Sequence, residues 1–154
     1  RVDHMKAIVW TGELEVRAFA PDVVVLQCGA DALADDPMSG LALSNNALWR
    51  AAAAMRGLAP RLLVLGGGGY NPWSVARCWT GVWGTLTGRA PPARLPGEAE
   101  DMLRGLYWNR RRSEPRPEHW FTTLADVPND GPVRDAVRRV ADAARADEPE
   151  GVSA

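Results

Sequence analysis

Two short apolar runs, separated by one segment with helical periodicity, constrain the fold of this chain more than any other feature. The runs occupy residues 23–28 (VVVLQC) and 62–65 (LLVL). Both are apolar at consecutive positions, which is typical of strands that are covered on both faces. Between them, apolar residues recur at helical spacing over 44–57. Because a strand–helix–strand crossover gives parallel strands, the pattern predicts an α/β fold with a parallel sheet flanked by helices.

The rest of the chain predicts two more long helices and an irregular extension. A helix is expected over 72–87, because Asn71 can cap it and Pro72 fits its first turn. Another is expected over 132–146, and Ser44 is the expected cap of the helix over 44–57. Residues 90–129 are rich in Pro, Arg and Trp, which predicts a packed irregular segment with a short helix at 98–106. The tryptophans at 73, 79 and 83 are predicted to be mostly core, and those at 108 and 120 to attach the extension to the body.

Composition narrows the class of protein. Of the 154 residues, 46% are hydrophobic and 24% are charged, and the net charge is −1, so a globular domain is expected and nucleic acid is not the expected main partner. The apolar runs are too short to cross a bilayer. The two cysteines, expected to be buried, do not make a disulfide framework, and a reducing cytoplasm is the expected compartment. No oligomeric state is predicted.

Two strands do not make a stable sheet alone, so further strands are expected outside this chain. The chain opens at Arg1 and its first methionine is Met5, which favours a segment of a longer protein. We divide it into a lead-in (1–20), a central α/β part (21–88) and an extension with a terminal helix and a frayed tail (89–154).

The loops that follow the two strands carry the candidate chemistry. Asp31 follows the first strand, and four glycines and Tyr70 follow the second. Parallel strands deliver such loops to one edge of the sheet, where ligands bind. A carboxylate is a ligand for Zn²⁺, and a protonated phenol can donate to a carbonyl oxygen on which negative charge develops. The pair therefore suits metal-assisted hydrolysis of an amide or ester.

Other interpretations of these residues stay open on spacing alone. Asp31 could be a loop or capping residue, and Tyr70 could be a core aromatic. The glycines could cradle a phosphate, although neither Gly-Lys-Ser/Thr nor G-x-G-x-x-G is present. Asp35 and Asp36 are expected to be solvated. The only two histidines, at positions 4 and 119, are expected on the surface or in packing roles.

Residues 21–88 resemble the C-terminal half of zinc-dependent histone deacetylases, including bacterial acetoin-utilisation-type deacetylases. The matching strings are PDVVVLQCGADALADDPM, LALS, LVLGGGGYN and ARCWT, in that order. The resemblance implies an arginase/deacetylase-type fold and hydrolysis of acetyl-lysine, or of a related acetylated amine, by zinc-bound water. It implies that the partner is an acetylated protein or a small acetylated amine. From composition, no direct nucleic-acid partner and no membrane are expected.

The resemblance also assigns residues. Asp31 matches a zinc-binding aspartate, and Tyr70 matches the tyrosine that polarises the acetyl carbonyl. Gly67, Gly68 and Gly69 match glycines that line the acetyl pocket, and Met38 matches its wall. Arg77 matches a helix arginine with a structural role.

The family's Asp-x-His ligand pair, its paired histidines and the residues of its K⁺ sites are absent from this chain. The expectation is therefore a deacetylase fragment that is inactive and binds zinc poorly by itself. The rival expectation is a non-catalytic interaction module that keeps the deacetylase fold. A nucleotide-binding α/β domain is disfavoured by the glycine pattern.

Overall fold

The computed structural model describes residues 13, 15–109, 115–128 and 132–146. Residues 15–19 are helical and precede the first strand. The main elements follow in the order β1 (Val23–Gln27), α1 (Asn45–Met55), β2 (Arg61–Leu65), α2 (Pro72–Leu86), α3 (Gly97–Gly105), α4 (His119–Thr122) and α5 (Asp135–Ala146). A 3₁₀ turn, Ala30–Ala32, lies directly after β1. The predicted α/β architecture is confirmed, and His4 lies outside the described residues.

The two strands pair in parallel, as the strand–helix–strand pattern predicts. Val23 lies opposite Arg61, and Gln27 lies opposite Leu65. Both strands therefore end at the same edge of the sheet, and the loops after them start side by side. This register places the two candidate loops in one region.

The expectation that both strands are covered on both faces is wrong for this chain. On one face Leu26 and Val64 pack against a buried cluster that includes Trp49. On the other face Val25 is 60% exposed and Leu63 is 51% exposed. Helices α1 and α2 cover one side only, and within the described ranges no element covers the other side. The apolar sequence of the exposed face therefore predicts contact with polypeptide that these ranges do not include.

Helices α1 and α2 pack closely because Gly81, in α2, has no side chain. The Trp49 indole donates to the Cys78 carbonyl oxygen at 2.9 Å. A Cβ atom at Gly81 would overlap the Trp49 ring. Gly81 therefore allows the indole to cross the surface of α2.

A buried polar network attaches the extension to this core. The guanidinium of Arg77 is 1% exposed; its Nη2 atom lies 2.7 Å from Asp126 Oδ1, and its Nε atom donates to the Thr123 carbonyl at 2.7 Å. The other oxygen of Asp126 accepts from the backbone N–H of Asn45 at 2.7 Å. Ser44 occupies the capping position of α1, but its side chain makes no capping bond. The expected local cap is thus replaced by a carboxylate from the extension.

Tryptophans make the second attachment of the extension. Trp73 is fully buried, stacks on Trp120 with ring centroids 5.2 Å apart, and meets Trp108 edge-on at 6.0 Å. The predicted roles of Trp108 and Trp120 are confirmed. Trp79 and Trp83 are 37% and 55% exposed, so the prediction that they are core residues is wrong. They line an apolar groove of about 320 Å³ between α2 and β2.

Cys28 and Cys78 are both buried free thiols. Burial raises the pKa of Cys28. The pKa of Cys78 is raised to about 12, mainly by burial and to a lesser extent by the negative charges of Cys28 and Asp126. Because the thiolate is the reactive form, neither thiol is suited to nucleophilic chemistry.

Both thiols are therefore expected to resist labelling in the folded chain. At pH 8 a thiol with a pKa of about 12 is roughly a thousandfold less ionised than an ordinary thiol with a pKa of about 8.5. Reaction with Ellman's reagent should be slow in buffer and should reach two thiols per chain in denaturant. Cys28→Ala isolates the signal of Cys78, and labelling of Cys78 at the denatured rate in that folded variant would contradict the prediction.

No helix in the described part of the chain is long and apolar enough to cross a membrane.

Candidate functional site

The loops after β1 and β2 are joined by backbone hydrogen bonds that continue beyond the strands. The N–H of Cys28 donates to the Leu65 carbonyl at 2.8 Å. The N–H of Ala30 donates to the Gly68 carbonyl at 2.7 Å. The two loops that the sequence singles out therefore form one contiguous structure at the edge of the sheet.

The carboxylate of Asp31 lies directly against this glycine loop. Asp31 sits on the 3₁₀ turn Ala30–Ala32 and is partly exposed. A Cβ atom at Gly68 would fall on the Asp31 carboxylate, and one at Gly29 would lie 2.6 Å from its Oδ1 atom. Two glycines therefore leave the space that the carboxylate occupies.

Gly67 and Gly69 are required because a side chain at either position would collide with neighbouring atoms. A Cβ atom at Gly67 would lie 2.8 Å from the Cα atom of Gly29. Gly69 has a φ of +152°, which side chains rarely allow, and a Cβ atom there would lie 2.5 Å from a methyl group of Val75. The glycine run thus allows the loop after β2 to lie close against the loop after β1. This close contact fixes the start of Tyr70, the next residue.

Tyr70 and Met38 lie at the surface beside this loop. Tyr70 is 50% exposed and Met38 is 64% exposed, so neither is a core residue in this chain. A core role for Tyr70 is therefore excluded, and its phenol is accessible to a ligand. Met38 does not line an enclosed cavity within the described ranges, because its side chain is open to solvent.

Asp36, which the sequence predicts to be solvated, is instead 5% exposed and joins these two residues. Its Oδ2 atom accepts the backbone N–H of Tyr70 at 2.6 Å. Its Oδ1 atom accepts the backbone N–H of Met38 at 2.9 Å. The second bond is the local turn that an Asp-Pro sequence favours, so a local signal existed. The bond to Tyr70 spans 34 residues and has no local signal.

Asp35 joins the same loop to helix α4, and the prediction that it is a solvated loop carboxylate is also wrong. Its Oδ2 atom accepts from the Trp120 indole at 2.7 Å and lies 3.7 Å from His119 Nε2, an ion pair when that histidine is protonated. Its carbonyl oxygen accepts from the Asn71 side chain at 2.9 Å. The other side-chain atom of Asn71, Oδ1, accepts from the Trp73 N–H at 3.0 Å, which confirms the predicted cap of α2.

The residues present supply only part of a metal site. A carboxylate oxygen is a suitable zinc ligand, and Asp31 is accessible at the sheet edge. A catalytic zinc takes three protein ligands. Among the residues that the structure describes, no group of three or more His, Cys, Asp and Glu side chains could hold a metal ion. Taken alone, the described residues therefore do not fit a complete zinc centre.

Comparison with known sequences connects this arrangement to a protein family. The family model for the histone deacetylase domain matches residues 4–86, more than half of the chain. A putative histone deacetylase 2 from Caenorhabditis elegans is 44% identical over 79 residues, which are 51% of this chain and 16% of that protein. Histone deacetylase 8 from Danio rerio is 40% identical over 83 residues, which are 53% of this chain and 22% of that protein.

Solved structures resemble a larger part of the chain. An HDAC homologue from Aquifex aeolicus superposes with a TM-score of 0.77 at 30% identity, over 94% of this chain and 40% of that one. An HDAC homologue in complex with SAHA gives the same values. The similarity therefore includes the extension as well as the two loops, and this chain spans less than half of those homologues.

Proposed function

Because this chain belongs to the histone deacetylase family, we propose that it carries one side of a deacetylase active site. In this proposal Tyr70 polarises the acetyl carbonyl of the substrate, and Asp31 is one ligand of a catalytic zinc ion. One observation carries the proposal: the Asp31 carboxylate packs against Gly68, two residues before Tyr70. A carboxylate and an accessible phenol are thereby placed on one edge of the sheet.

The other side of the site is proposed to come from polypeptide outside this chain. Asp31 supplies one ligand, whereas a catalytic zinc takes three protein ligands. Two findings support a complementary segment: the chain spans 40% of the solved homologue, and one face of its sheet is apolar and exposed. That segment would add the remaining zinc ligands, the paired histidines and any K⁺ site. When bound, zinc supplies Lewis-acid chemistry at the substrate carbonyl.

The contribution of this chain is mainly electrostatic. The phenol of Tyr70 donates a hydrogen bond to the carbonyl oxygen, and this bond strengthens as negative charge develops on that oxygen. The backbone of Gly67, Gly68 and Gly69 forms the wall beside it, and Met38 extends the wall on the other side. The fixed glycine loop helps because a donor placed in advance needs no reorganisation during the reaction.

The substrate class follows from this chemistry and from the family. We infer hydrolysis of acetyl-lysine, or of a small acetylated amine, in an acetoin-utilisation-type enzyme of the cytoplasm. The HDAC homologue from Aquifex aeolicus, which resembles 94% of the chain, supports the deacetylase class. The bond that breaks is an amide, and its products are acetate and a free amine.

The alternative is an interaction module without catalysis. The chain would then bind the same complementary polypeptide but perform no chemistry. The glycine loop disfavours this alternative, because Gly68 and Gly29 leave space for the Asp31 carboxylate, which a purely structural module does not need.

The purified 154-residue chain is expected to be inactive and to retain much less than one zinc ion after dialysis, because it supplies one matched ligand. Metal analysis and a deacetylation assay on an acetyl-lysine peptide check both statements. Stoichiometric zinc together with turnover would contradict them.

The proposed function itself is tested by complementation. We define the complemented assembly as this chain paired with the part of the Aquifex aeolicus homologue outside the 40% that it matches. Turnover in this assembly that is lost in Asp31→Ala supports the enzyme. Binding between the two polypeptides without turnover supports the interaction module.

A further inference from the structure

We propose that Asp36 is a positioning residue of this site, whose buried carboxylate holds the backbones of Tyr70 and Met38 in fixed relation. The inference rests on the role proposed for Tyr70. It concerns a side chain that contacts neither substrate nor metal in that proposal, and that acts through the two residues it binds.

The contacts use both oxygens of the carboxylate. One accepts the N–H of Tyr70 at 2.6 Å, and the other accepts the N–H of Met38 at 2.9 Å. Hydrogen bonds to an ionised carboxylate are shorter and stronger than those between neutral groups. Because Asp36 is 5% exposed, water competes little for these bonds. A single side chain thereby sets the separation between the phenol-bearing loop and the Met38 loop.

Asp36 itself stands on a fixed turn. Its N–H donates to the Leu33 carbonyl at 3.0 Å, and its carbonyl accepts from the Ser39 N–H at 3.1 Å. Leu33 is 2% exposed, and the isolated bridge between Leu33 and Leu43 holds the base of the loop. The carboxylate is therefore anchored to the core through Leu33.

The backbone of Tyr70 depends on its hydrogen bond to Asp36 because Tyr70 lies just before helix α2. Helix α2 begins at Pro72 and is capped by Asn71, so the N–H of Tyr70 lies before the helix and outside its hydrogen bonds. The preceding residue is Gly69, which has a φ of +152° and no side chain to restrict its backbone. The Asp36 carboxylate thus fixes the backbone that carries the phenol. Misplacement of a catalytic group by about 1 Å can cost about 10²-fold in rate.

Asp35 provides a matched control. It is the adjacent residue with the same charge, but its carboxylate accepts from the Trp120 indole and not from the Tyr70 backbone. Asp35→Asn and Asp36→Asn therefore remove the same charge from the same loop. Only the second substitution removes an acceptor from Tyr70 or Met38.

The first measurement uses amide resonances of the ¹⁵N-labelled 154-residue chain. Asp36→Asn should shift the amide signals of Tyr70 and Met38 and should accelerate exchange of the Tyr70 N–H about 10- to 100-fold, the factor for losing a hydrogen bond to a charged group. Asp35→Asn should shift the Trp120 indole signal and leave Tyr70 unchanged. Unchanged Tyr70 shift and exchange in folded Asp36→Asn would overturn the proposal.

The second measurement is a double-mutant cycle in the complemented assembly. If Asp36 acts through the phenol, Asp36→Asn should lower kcat about 10²-fold alone and by no more than about twofold in the Tyr70→Phe background, with zinc content unchanged. Equal losses in both backgrounds would mean that Asp36 supports the loop without positioning the phenol, which overturns the proposal.

Failure of the proposed function would give a different result. Full activity of Tyr70→Phe, or binding in the complemented assembly without turnover, would reject the role of the tyrosine. The amide measurement would still decide whether Asp36 holds Tyr70, because it needs neither zinc nor substrate.

Discussion

Replacing Tyr70 by phenylalanine should lower kcat of the complemented assembly about 10²- to 10³-fold and leave its zinc content unchanged. The substitution removes one hydroxyl, which in the proposed mechanism donates to the carbonyl oxygen of the substrate. Loss of a single donor to a developing oxyanion has an effect of this size. Tyr70 is 50% exposed and its backbone is held by Asp36, so the change should not disturb folding.

Steady-state kinetics on an acetyl-lysine peptide, with metal analysis of the same samples, measure this effect. The matched control is Tyr107→Phe, the same change at the only other tyrosine, which is 66% exposed. It should retain full activity. Asp31→Ala provides the contrast, because it should remove both activity and zinc. Full activity in Tyr70→Phe would rule out the oxyanion role.

The second large effect is on stability: Arg77→Met should destabilise the 154-residue chain by about 3–5 kcal/mol. The guanidinium is 1% exposed, lies 2.7 Å from Asp126 Oδ1 and donates to the Thr123 carbonyl. Its removal leaves the Asp126 carboxylate, which is 17% exposed, without a compensating charge. Because small domains are stable by about 5–15 kcal/mol, the loss could detach the extension from the core.

Urea unfolding followed by tryptophan fluorescence measures this loss. Arg17→Met is the control, because Arg17 makes a surface ion pair with Glu13 at 2.9 Å, and such pairs contribute about 0.3–0.5 kcal/mol. Adding Asp126→Asn to Arg77→Met should recover part of the lost stability, since no unpaired charge then remains. A loss below about 1 kcal/mol in Arg77→Met would show that the ion pair does not hold the extension.

Most of the secondary structure and the family could be predicted from the sequence. The strands at 23–28 and 62–65 and the helices at 44–57 and 72–87 are found within a few residues of those ranges. These predictions depend on local signals: apolar runs, helical periodicity, and Asn71 with Pro72 at a helix start. The four strings within residues 21–88, taken together and in order, indicate the family whose model matches residues 4–86.

The hydrogen bonds that hold the candidate site and the extension could not be predicted from local patterns. Asp36 and Asp126 both lie in loops, where a carboxylate is usually solvated, and both instead accept backbone N–H groups from distant segments. No local pattern distinguishes a solvated aspartate from one that accepts such a bond. Burial of the sheet was overestimated for a related reason. The sequence shows that a face of the sheet is apolar, but it does not show which element lies against that face.

The sequence by itself therefore determined most of the elements, the parallel pairing and the identity of the two loops, because each follows from local patterns along the chain. Only the tertiary structure decided that the Asp31 carboxylate packs against Gly68, that Asp36 holds Tyr70, and that one face of the sheet is open. These features arise between residues far apart in sequence, and they exist only after the chain has brought two loops together.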